Sequence, residues 1–229
     1  MKKGYLRPTP EQSYEIISEG GHANFIKILK SANELQQTGD IEGACNLRFA
    51  GVQTLHELLP EGDEVLLEWA HTNSRAAIEV VYLCAIDHFL ISDFEISSAL
   101  LELALELDPE DHLEASNLLC FDYLAMGEYE LFDEVINDVS DKHASRALLL
   151  LWSSFIHEGA IPAGELHAFK SRFSPFFAEF TANDHPVDES YITDIESERP
   201  STKAQARELW LQTENLWAQF PEFIEALKR

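Results

Sequence analysis

Nine histidines, three cysteines and 41 acidic residues are the raw material for chemistry in this 229-residue chain. His56-Glu57 with His71, and His157-Glu158 with His167, have the side chains that ligate zinc when folding brings them together. No two histidines stand at i, i+4, and acid-rich helices place His beside Glu by chance. Surface or core-edge histidines are the expectation, and no metal site is assigned. Adjacent carboxylates such as Glu110-Asp111 and Asp133-Glu134 do acid/base work only in a pocket that displaces a pKa, so solvated acidic faces are expected instead. Cys84 and Cys120 have no cation near them in sequence to favour the thiolate. Phosphate-binding glycine loops, a G-x-S-x-G elbow, an H-E-x-x-H helix and an EF-hand loop are all absent. The chain therefore reads as a non-enzyme with no catalytic residue and no cofactor.

Charge narrows the partners. The formal net charge is −25, which repels phosphate backbones and anionic headgroups, so neither nucleic acid nor a membrane surface is expected. A protein or peptide that is neutral or basic fits better. The acid is concentrated: residues 1–60 hold 7 acids and 6 bases, 61–140 hold 20 acids and 1 base, Arg75, and 141–229 hold 14 acids and 9 bases. Glu102, Glu106, Glu110, Glu128 and Glu130 are the candidate acidic face. Three scattered cysteines without a C-x-x-C pair suggest a reducing compartment. The opening residues lack the apolar run of a secretory signal, and the longest apolar runs, Val80 to Ile86 and Ala147 to Trp152, fall far short of the roughly 18 residues of a span. A soluble, cytoplasmic protein is the expectation.

The elements that position these residues are helical. Leu100, Leu101, Ala104 and Leu105 form a stripe that stops at Asp108-Pro109, and a helix from about Glu114 to Met126 breaks at Gly127. Tyr129, Phe132, Val135, Ile136 and Val139 resume the stripe, predicting a helical hairpin. Further helices are predicted at about 22–37, 41–58, 63–71, 74–90, 94–107, 143–157, 163–180 and 204–219, and no segment makes a convincing sheet. The fold class is all-α.

Turns recur at Gly39, Ser92, Gly127 and Gly159, and the last two intervals, 35 and 32 residues, bracket 34. Ala99 to Pro109, followed by Leu119-Cys120, Tyr123, Gly127 and Tyr129, resembles the tetratricopeptide repeat family in divergent form. The resemblance is fair over 81–139 and weak over 22–60 and 143–180. It implies stacked antiparallel hairpins in a superhelix, with Cys84 and Cys120 at helix-packing positions. It also implies a partner-binding groove lined by Tyr82, Ile86, Phe89, Asn117, Phe121 and Leu124. A basic carboxylate clamp is not implied, since Lys30, Asn33, Asn117 and Arg146 supply no central basic pair. The same groove residues could instead be core, covered by other helices of the chain.

The resulting division is an N-terminal arm (1–20), a repeat domain (21–180), a polar linker (181–201) and a C-terminal amphipathic helix (202–229). Trp210, Trp217 and Phe220 on that last helix carry roughly 450 to 750 Å² together, too much to leave uncovered, so the helix should pack as a cap. The function expected is non-catalytic: a scaffold or assembly factor with an apolar groove and an acidic surface. The alternatives are a His/carboxylate metal enzyme and a chaperone-like holder of one hydrophobic or basic segment.

Overall fold

Period-3.6 stripes become helices over most of the chain in a computed structural model that describes residues 4–60, 62 and 64–229. The fold is all-α apart from one small hairpin, and no described helix is long and apolar enough to cross a membrane. Two compact units divide it: Met1–Met126 and Gly127–Arg229. The stretch 21–180 expected to be one repeat domain therefore spans parts of both.

The first unit contains β1 (Tyr5–Pro8), β2 (Tyr14–Ile17), α1 (Phe25–Gln37), α2 (Ile41–His56), α3 (Thr72–Leu90), α4 (Phe94–Leu107) and α5 (Ala115–Met126). Short connections make α1 with α2, and α3 with α4, antiparallel pairs, and α1 also packs on α3 and α4 on α5. Asn24 and Asp40 cap α1 and α2 by accepting from Lys27 and Gly43 amides at 3.0 Å. The turn residues Gly39 and Ser92 take φ of +85° and +63°, so Ser92 adopts the conformation a glycine would adopt at no steric cost. Gly51 lets α2 approach α3, since a Cβ there would lie 2.8 Å from Val80 Cγ1.

Two expectations fail in this unit. The chain does form a sheet: β1 and β2 pair antiparallel, Tyr5 opposite Ile17 and Pro8 opposite Tyr14. The predicted helix at 63–71 is absent over its described residues, Asp63 itself lying outside them. Val65 and Leu67 point inward while Glu64 and Leu66 face solvent, a period of two rather than 3.6. The Tyr14 amide donates to Leu66 O at 2.7 Å, Glu68 to Tyr14 O at 2.9 Å and Leu67 to Leu107 O at 2.9 Å, so this segment extends the hairpin. Asn73 and Ser74, buried at the start of α3, hold β2 in place. Asn73 Nδ2 donates to Ile16 O at 3.0 Å and Ala23 O at 2.9 Å, its Oδ1 accepts from the Phe25 amide at 2.9 Å, and Ser74 Oγ accepts from the Ile16 amide at 2.9 Å.

The second unit contains α6 (Tyr129–Val135), α7 (Ala144–Glu158), α8 (Ala163–Arg172), α9 (Ser174–Phe180), α10 (Glu189–Ile195), α11 (Thr202–Gln219) and α12 (Pro221–Leu227). The helix predicted over 163–180 is two helices, broken at Phe173. Pro175 has no amide to continue the ladder and starts α9 instead. The polar linker carries α10, capped by Asp188. The aromatic side chains of α11 and the residue after it are packed within the unit: Trp152 of α7 meets Trp217 at 5.0 Å and Phe220 at 5.1 Å between ring centroids, and Phe180 meets Trp210 at 5.2 Å. The buried Trp217 indole donates to Thr213 Oγ1 at 2.7 Å.

Two side chains make the packing testable. Asp122 on α5 is 0% exposed, and neither carboxylate oxygen has a hydrogen-bond partner among the described residues. Burial pushes its carboxyl up to about 8, although its polar neighbour Ser97 on α4 works the other way. The protonated form's contribution to stability is complete below about pH 4 and is lost as pH rises through about 8. Asp122→Asn should therefore raise the melting temperature by about 5 °C or more at pH 8 and change it little at pH 4. A gain that is equal at both pH values would place the carboxyl in water. In the second unit, Trp152→Ala should cost about 3–5 kcal/mol in denaturant unfolding. Hydrogen exchange should localise that loss to α7, α11 and α12 rather than to α3 and α4.

Candidate functional site

The residues expected to line a groove on α3 and α5 do not all reach solvent. Phe89, Phe121 and Leu124 are only 1 to 2% exposed, and Phe89 packs edge-on against Phe94 at 5.7 Å and Phe121 at 6.4 Å. These three are core, held there by the α4 side chains that close over them. Tyr82, Ile86 and Asn117 are half-buried and form what remains at the surface. Burial, then the charges of Asp111 and Glu114, raise the Tyr82 phenol above its ordinary value.

Glu102, Glu106 and Glu110 are exposed in the first unit, and Glu128 and Glu130 in the second. Glu102 accepts from the Tyr123 hydroxyl at 2.7 Å. Arg75 lies 3.6 Å from Glu79 and 5.9 Å from the Trp69 ring. His112 stacks on the same ring at 4.4 Å and is held by Asp108 at 2.9 Å.

Inside the units, charge is used for fastening. Arg48 on α2 grips Asp87 on α3 with two bonds of 2.7 Å, and its guanidinium reaches Gln36 at 3.2 Å. In the second unit Glu179 of α9 receives Arg207 of α11 and His185, whose ring stacks on Trp210 at 4.0 Å. Burial alone would raise the Glu179 carboxyl, but the bonds from Arg207 and His185 outweigh it and hold it below the ordinary value. A cavity of about 130 Å³ beside Arg207 is lined by Asp188, Asp194 and Tyr191. Those groups already bond Ser190, Ser201 and Glu208, and the volume is below the range of small-molecule pockets. Among the described residues no group of three or more His, Cys, Asp or Glu side chains is placed to hold a metal. His71 bonds Ser74, and His157 bonds the Ser153 carbonyl at 2.8 Å. Burial pushes the Cys84 thiol up to about 12, so it is protonated at neutral pH.

The open surface that sequence reasoning missed is in the second unit. A groove of about 450 Å³ runs over α7 between α6 and α8. On α7 it is lined by Ala147, Leu150, Leu151 and Ser154, and on α8 by Glu165, Ala168, Phe169 and Arg172. Both sets fall at i, i+3, i+4 and i+7, the signature of one helix face. Tyr129 against His157 at 4.9 Å ties α6 to α7, and Ser154 to Glu165 at 3.2 Å ties α7 to α8. Gly159, with φ of +72°, closes α7 and lets the chain turn back into α8. The groove exists because Ala147, Ser154 and Ala168 are small while Leu150 stays 37% exposed. The signal available in sequence was the apolar run Ala147 to Trp152, whose length exceeds what one buried face of a helix accounts for.

The Glu179 cluster has a pH signature opposite to that of Asp122. Its contribution is complete above the ordinary glutamate value of 4.5 and is lost as pH falls through the lowered native value. Glu179→Gln should lower the melting temperature at pH 7 and flatten the acid limb of the melting-temperature profile, while an unchanged acid limb would show that the pair contributes nothing to holding α9 and α11 together. No protein-family model, no curated protein and no solved structure matches the chain.

Proposed function

We propose that this protein is a non-catalytic interaction module, a scaffold or assembly factor that holds a hydrophobic or basic segment of another protein. The observation that carries this reading is the α7 groove: a volume of about 450 Å³, with Leu150 bare on its floor, that the unit's own helices leave open. Exposed apolar patches of this kind on soluble domains mark interaction sites. The acidic residues supply the other half, since an acidic field speeds encounter with a basic partner and weakens as salt rises. The buried ion pairs, Arg48 with Asp87 and Arg207 with Glu179, are engaged in holding helices together, and the reading asks no cofactor of them.

The test is affinity capture from the source cell with the full chain and with Ala168→Phe, which fills the groove from an exposed position. A protein retained by the first and lost by the second is the expected result, and identical captures would remove the groove from the function. With that partner in hand, replacing Glu106, Glu110 and Glu130 by lysine should slow association about tenfold or more at low salt. The difference should disappear at high salt, and an unchanged rate would reduce the acidity to a solubility device.

A further inference from the structure

We infer that the α7 groove is the docking site of a single basic amphipathic helix from another protein, one that lays a bulky apolar stripe over α7 and sets its cations against Asp133 and Glu165. The inference rests on the interaction reading above and names the partner's chemistry. Shape gives the first part. The lining of α8 from Glu165 to Arg172 spans eight residues, about 10 Å of helix axis, the length of an i, i+3, i+4, i+7 stripe on a partner. The floor offers Leu150, 37% exposed above the buried Leu151, and the small residues Ala147 and Ala168 leave room for incoming leucine-sized side chains.

Charge gives the second part. Asp133 on the α6 wall and Glu165 on the α8 wall are both exposed, and neither has an ion-pair partner among the described residues. Glu165 has only the Ser154 hydroxyl at 3.2 Å. One cation, Arg172, stands in the lining itself. Arg172 lies 3.9 Å from Asp141 and 5.0 Å from the Phe173 ring, and Lys170 sits 4.5 Å from the Phe177 ring. With Asp133 and Glu165 against the single guanidinium of Arg172 the lining is net negative, and a helix with lysine or arginine beside its apolar stripe complements it. An acidic or uncharged helix would bury the same apolar area while leaving those carboxylates unanswered.

Fluorescence anisotropy with the full-length protein tests this. The probe is a labelled 15-residue peptide with leucine at helical i, i+3, i+4 and i+7 spacing and lysine at the positions flanking that stripe on both sides. Two comparison peptides carry the same leucine stripe with glutamate, and the same leucine and lysine content in scrambled order. The ordered lysine peptide should bind at least about tenfold more tightly than either. Ala168→Phe should abolish that preference with the helix content unchanged. Asp133→Lys with Glu165→Lys should invert it in favour of the glutamate peptide, which also serves if Ala168→Phe fails to fold. Equal binding of ordered and scrambled lysine peptides would mean diffuse charge attraction and overturn the inference. So would binding that ignores both variants, or a concentration-dependent dimer of the wild type that Ala168→Phe dissociates, since a second copy would then be the occupant. If the peptides fail but cellular capture still depends on Ala168, the basic-helix assignment falls and the interaction reading survives; if capture is also indifferent, both fall.

Discussion

Each unit is pinned by a guanidinium–carboxylate pair taken largely out of water. Arg48 to Asp87 joins α2 to α3, with the Arg48 side chain 4% exposed, and Arg207 to Glu179 joins α11 to α9, with Glu179 5% exposed. Such a pair repays its desolvation only when the geometry is good and the remaining donors are met. Arg48 satisfies this with a two-pronged grip on Asp87 and a third bond to Gln36, and Arg207 with bonds to Glu179 and to the Pro186 carbonyl. In a chain of 41 acids and 16 bases the supply of such cations is limiting. Asp122 shows what happens where none arrives: the carboxylate stays buried, unpartnered, and turns neutral near physiological pH instead.

A second requirement is that buried backbone groups find partners, and it explains which elements were legible in the sequence. Long helices satisfy their own amides, so α3, α4, α5, α7 and α11 announce themselves by periodicity alone. The β1–β2 hairpin and the extended segment at 64–68 do not. Their amides and carbonyls depend on Asn73, Ser74 and Leu107, which stand about forty to sixty residues away in sequence, and no local pattern encodes that. Leu66-Leu67-Glu68-Trp69 reads as the start of a helix until the remote partner is known, whereupon the alternation of Val65 and Leu67 against Leu66 becomes the correct period.

The candidate site was less legible for a related reason. Periodicity tells which side chains share a face of a helix and is silent on whether a neighbour covers that face. Phe89, Phe121 and Leu124 share faces with Tyr82, Ile86 and Asn117, yet packing between α3, α4 and α5 buries the first three and leaves the others at the surface. On α7 the outcome is reversed. Leu148, Leu149 and Trp152 are taken into the unit's core, while Leu150 on the opposite side stays partly bare because Ala168 is too small to reach it. The exposed glutamates needed less such knowledge, since twenty acids with one cation among them cannot all be paired inside, and only Asp108 and Asp122 of that run are buried among the described residues.

Groove and acidity act at different ranges, and this is why the proposed function needs both. An exposed charge is felt over about a Debye length, near 10 Å at ordinary ionic strength, so exposed glutamates of the groove's own unit such as Glu128 and Glu130 bear on how often a basic segment arrives. They have little to say about how long it stays, because solvated pairs contribute about 1 kcal/mol at most. Residence is decided by apolar area withdrawn from water at Leu150 and around Ala147 and Ala168, and by the two wall carboxylates, which gain strength as an incoming helix excludes solvent around them. Changes to the diffuse acidic surface should therefore appear in association rates. Changes at Ala168 or Glu165 should appear in dissociation rates, and a single kinetic measurement separates the two contributions without knowledge of the partner's identity.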